Sequence, residues 1–88
     1  MNFVCHVPIE LETPVGADSK LNVDRIPGFL KMLPVEDGNR RFDLSFRVEG
    51  GSRVDARDAA EEIVFDCEDA LERYYPKVLL PLVIELAS

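Results

Sequence analysis

The chain has 88 residues, of which 47% are apolar and 31% charged, and its 17 acids against 10 bases give a net charge of −7. This composition belongs to a folded globular chain rather than a disordered one. The size predicts one small domain spanning 1–88, burying only about 60–65% of its unfolded surface, so association with another surface would add stability. The longest uninterrupted apolar run, 78–84, is seven residues, far short of the roughly 20 needed to cross a bilayer. Residues 1–12 show neither a basic start nor a small-residue cleavage site, so the expected address is cytoplasmic.

Along the chain, 2–12 alternates Phe3, Cys5, Val7, Ile9 and Leu11 with Val4, His6, Pro8 and Glu10. That reads as a strand, with Pro8 implying an edge or a bulge. Residues 13–28 are irregular and rich in Pro and Gly. They read as a loop ending in a Pro27-Gly28 turn of type II, long enough to act as a lid or to hide a short element. A short strand over 29–33 and a turn at Glu36-Asp37-Gly38-Asn39 follow. Residues 41–49 give the clearest strand, with Phe42, Leu44, Phe46 and Val48 on one face and Arg41, Asp43, Ser45, Arg47 and Glu49 on the other.

Residues 55–75 predict one long amphipathic helix. At about 100° per residue, Ala56, Ala59, Ala60, Ile63, Val64, Cys67, Ala70, Leu71 and Tyr74 fall within an arc of roughly 140°. Asp55 is the expected N-cap, Arg73 and Lys77 suit the negative end of the helix dipole, and Pro76 stops it. Residues 77–86, apolar on both faces and carrying Pro81, read as an edge or bulged strand, with a short continuing helix as the alternative. The expected fold is therefore α+β: a three- to four-stranded, mostly antiparallel or mixed sheet with one helix on one face. The strand at 41–49, the helix and the strand at 77–86 form a β-α-β crossover. The uncovered face, which combines polar residues with Val4, Leu79 and Val83, invites self-association.

Charge is concentrated in that helix. Residues 55–75 hold eight acids and two bases, which is −6 of the total −7. Nucleic acid and anionic membranes are excluded as partners of this face, because both are bound by neutralising phosphate; a basic protein is attracted to it. Phe65 lies at the centre of the acidic arc, among Glu61, Glu62, Glu68, Asp69 and Glu72. An aromatic ringed by charge suits an interface anchor. Its other two fates are cover by the chain's own proline-containing loop and plain exposure.

Little else suggests chemistry. His6 is the only histidine, and on a strand it points away from Cys5, so the two cannot form a nucleophile–base pair or share a metal. Cys5 and Cys67 read as small buried hydrophobes, and could be bridged only with Cα atoms within about 7 Å. Gly50-Gly51-Ser52 outlines an anion-binding turn but lacks both the dinucleotide and P-loop spacings. No catalytic, cofactor-binding or metal-ligating residues are assigned. Three functions remain open. The first is a non-enzymatic interaction or regulatory module, contacting a basic partner or a second copy through the acidic helix. The second is a ligand-binding protein or enzyme subunit with a pocket between 13–34 and the sheet, using Arg41, Arg47 and His6. The third is a structural subunit of a larger assembly.

Overall fold

A computed structural model describes residues 1–16, 21–36 and 38–87. Among these residues, five antiparallel strands and one α-helix make up the α+β fold: β1 (Asn2–Leu11), β2 (Phe29–Pro34), β3 (Arg41–Glu49), α1 (Arg53–Ala70), β4 (Pro76–Val78) and β5 (Val83–Leu86). Across the sheet the order is β2, β3, β1, and then β4 and β5, which share the last position by pairing with opposite ends of β1. The expected fourth strand is thus present as two short pieces. Being antiparallel to β1 on either side of it, β3 and β4 run parallel to each other, and α1 is the connection between them.

The alternation read from the sequence fixes the faces. Phe3, Cys5, Val7, Ile9 and Leu11 of β1 and Phe42, Leu44, Phe46 and Val48 of β3 are all buried on the helix side. Cys5 pairs with Phe46 and Val7 with Leu44 across the ladder, so one register error would expose the whole set. The helix contributes its small residues: Ala56, Ala60 and Cys67 are fully buried together with Leu71, while Ala59, Ile63, Val64, Ala70 and Tyr74 pack at the flanks. Small side chains let the helix backbone lie close to the sheet, which leaves the bulkier Ile63 and Val64 at the two margins.

Pro8 is the main correction to the strand pattern. It lies in the middle of β1, which is central, and it pairs in register with Asp43. Its carbonyl accepts from the Leu79 N–H at 2.8 Å. A strand residue directs its N–H and C=O to the same side, so the missing donor faces the gap between β4 and β5, where no ladder bond is required. The break in the last strand accommodates the proline in the central one.

The helix also begins earlier than its charge pattern implies. Ser52, not Asp55, is the N-cap, and its Oγ accepts the Asp55 N–H at 3.2 Å. Gly50 lets the strand turn this tightly into the helix, since a Cβ there would stand 2.7 Å from the Ala56 nitrogen. The α-helix ends at Ala70 rather than 75 and gives way to a 3-10 turn over Glu72–Tyr74, closed by Tyr75 at φ 55°. No basic residue therefore occupies the last turn of α1, and Arg73 belongs to the 3-10 turn.

The loop at 13–28 does hide a short element, a 3-10 turn at Val23–Arg25. Ile26, Leu21 and Val23 pack into the core from it. The Pro27-Gly28 turn is formed, with Gly28 at φ 71° and the Phe29 N–H donating to the Ile26 carbonyl at 3.1 Å. Residues 17–20 of the loop and Asp37 of the expected 36–39 turn lie outside the described residues.

Candidate protein-interaction surface

The acidic face of α1 is open to solvent. Asp58, Glu61, Glu62, Asp66, Asp69 and Glu72 are exposed and Glu68 is half-buried. Among the described residues the ion pairs are those of His6 and Arg41, and none engages a carboxylate of α1. Phe65 stands at the centre of this field with 68% of its surface exposed. Of the three fates open to it, cover by the described part of its own chain is ruled out.

The six predicted contact residues form one continuous strip. Glu61 and Glu62 precede Phe65 by about one turn; Glu68, Asp69 and Glu72 follow it, converging with Tyr75 and Pro76 around a shallow depression of about 390 Å³. Two apolar members of the strip escaped sequence reasoning. Val54, 68% exposed, lies three turns before Phe65 on nearly the same line of the helix. Its place there became legible only once the helix began at Arg53. Tyr75, 67% exposed, extends the strip past the helix end.

The opposite face of the sheet is different in kind. Its rows, read from the strand register, carry Lys31, Arg41, Arg47 and Lys77 against Glu10, Asp43, Glu49 and Glu85. Four bases and four acids cancel, and Val4, Pro8, Leu33 and Val83 lie among them. His6 sits between two carboxylates, with Nδ1 3.2 Å from Asp43 Oδ2 and Nε2 3.2 Å from Glu85 Oε2. A neutral imidazole can donate to only one of them, while the doubly protonated ring donates to both. Because the two acids contact opposite edges of the ring, the three groups do not converge on a point where a metal would sit. No cluster of three metal-ligating side chains occurs among the described residues.

Arg41 pairs with Glu10 at 3.1 Å and Glu36 at 3.5 Å, and Arg47 projects from the same open face. The residues proposed to line a pocket with the 13–34 segment are thus turned away from Leu21, Val23 and Ile26, which pack on the helix side. Cys5 and His6 do face opposite ways, Cys5 into the core and His6 to the open side.

Both cysteines are free and buried. Burial pushes the Cys5 thiol up to about 11, against the lowering effect of the Arg57 guanidinium and with a small rise from Asp43. Burial likewise pushes Cys67 up to about 12, with Cys5, Asp66 and Glu68 adding to the rise. Thiols held protonated this far above neutrality are poor nucleophiles. No described helix is long and apolar enough to cross a membrane.

No protein-family model, curated protein or solved structure matches this chain.

Proposed function

We propose that this protein is a small non-enzymatic interaction module whose acidic helix receives a basic protein partner, with Phe65 as the anchor. The observation that carries this reading is a large aromatic, 68% exposed, in a field of carboxylates that form no ion pair among the described residues. The acids attract and orient a cationic segment, and burial of the ring against it supplies the short-range affinity. A cytoplasmic setting accords with two free thiols.

The test uses a labelled, capped peptide of alternating lysine and leucine and compares wild type with Phe65→Asp. Because Phe65 is exposed, the variant should melt with the wild type, within about 0.5 kcal/mol. Its binding should weaken about tenfold or more, and wild-type binding should fall steeply as salt rises. Equal affinity of the two proteins would remove Phe65 as the anchor.

A second reading concerns the open face of the sheet, which suits a second copy of the chain. The supporting observation is electrical. A molecule carrying −7 repels itself through α1, whereas the open face is charge-balanced and has apolar residues at its centre. Leu33→Lys, at a position already 47% exposed, should leave the fold intact and shift a dimer to monomer by light scattering over a concentration series. A wild type that is monomeric at high concentration would exclude this reading.

A further inference from the structure

A groove of about 420 Å³ runs between α1 and the segment joining β4 to β5, lined by Arg57, Glu61, Val64, Val78, Leu80, Pro81 and Leu82. We infer that this groove is the socket for an apolar side chain of the basic segment that the acidic helix attracts; the inference rests on the reading above and adds a second anchor point to it.

The groove's position makes the case first. Val64 and Phe65 are consecutive, so at about 100° per residue one lines the groove while the other stands on the adjoining crest. Glu61, one turn before Phe65, belongs to both surfaces. A segment lying on the crest is therefore one residue-width from the groove. The second argument is charge. Arg57 and Glu61 are the charged residues of the lining, and the adjoining crest around Phe65 is acidic, so an apolar occupant flanked by lysine or arginine matches the floor and the crest together. An acidic segment would be repelled by the crest.

The third argument is preorganisation. Leu82 is 7% exposed and anchored in the core, and the Leu79 N–H is held by the Pro8 carbonyl at 2.8 Å. The wall between these two points is thus fixed at both ends, and Leu80 projects from it with 79% of its surface exposed. The volume falls within the roughly 300–1,000 Å³ of preformed binding pockets. A large leucine held out on a pinned wall beside an apolar floor gains contact area when a side chain enters the groove.

The experiment compares two capped peptides of equal charge, one alternating lysine with leucine and one alternating lysine with serine, against the wild type, Leu80→Glu and Phe65→Asp. Affinities come from anisotropy, and contact is mapped by amide chemical shifts. The wild type should prefer the leucine peptide by about tenfold, with shifts at Val64, Val78 and Leu82. Leu80→Glu should cut that preference to the part that Phe65 alone supplies. Because this substitution adds a negative charge, electrostatics alone would tighten binding, so a loss reports the apolar contact. Leu80 is exposed enough for the variant to fold, which the amide spectrum checks directly.

Equal binding of the two peptides by the wild type would overturn the inference, as would a preference that Leu80→Glu leaves undiminished. If Phe65→Asp abolishes binding while Leu80→Glu keeps the preference, the acidic-helix reading stands and the groove is not its socket. If neither peptide binds the wild type, both fall.

Discussion

Gly28→Ala should be the most damaging conservative substitution in this chain. Gly28 stands at φ 71°, and a Cβ there would lie 2.3 Å from the Arg47 carbonyl oxygen. The same glycine's carbonyl accepts the Arg47 N–H at 2.7 Å, so the backbone cannot retreat without losing the bond that seats the loop on β3. The left-handed conformation costs an L-residue roughly 1–2 kcal/mol, and the forced shift of a packed backbone adds roughly 1–3 more. Against a total stability of about 5–15 kcal/mol for a domain, a loss of about 3 kcal/mol would displace the denaturation midpoint visibly. Gly51→Ala is the control: its Cβ would meet only the carboxylate end of Asp55, at 3.2 Å, a flexible group that can move aside. Equal midpoints for the two variants would show that the approach of Gly28 to β3 does not support the fold.

Alkaline pH should unfold the protein through its two cysteines. Their thiols ionise near 9.0 when exposed but near 11 for Cys5 and 12 for Cys67 in the fold. Between pH 9 and 12 the unfolded chain has released protons that the folded chain retains, so stability falls as pH rises. Below pH 9 the contribution is fully present. The combined loss is on the order of 5 kcal/mol. Denaturant midpoints at pH 8 and pH 11 measure it, with the Cys5→Ala, Cys67→Ala double variant as the reference. That variant should be less stable than the wild type at pH 8, owing to lost packing, and should lose less on going to pH 11. Parallel losses in both proteins would assign alkaline instability to other groups, such as the tyrosines.

Much of this was legible because strands and helices write their faces into the order of residues. The 41–49 strand was readable to the residue: its alternation is unbroken and its apolar side meets a single core. The helix was readable as an element but not at its ends. Its acids begin at Asp55 and the charge pattern points there, whereas capping depends on which oxygen reaches a free N–H, and Ser52 does so. Pro8 resisted for a different reason. A proline in a strand signals a missing donor, and the sequence does not reveal on which side of β1 a donor is unnecessary.

Of the candidate site, the acidic strip and Phe65 at its centre came from the sequence, since helical periodicity places them without knowledge of the rest of the fold. The exposure of Phe65 did not, because cover by a distant loop leaves no local trace. The groove was invisible for the same reason: its two walls, at Arg57–Val64 and Val78–Leu82, are separated along the chain and come together only when α1 packs against β4 and β5.

By itself, then, the sequence determined the periodic elements, the faces they bury and the concentration of negative charge on one helix. All three follow from spacings of a few residues. The tertiary structure alone decided which strand is central, how the last strand divides around a proline, that Phe65 remains uncovered and that a groove opens beside it. Each of these depends on which distant segments pack together, a choice set by the summed burial of the whole core rather than by any local run of residues.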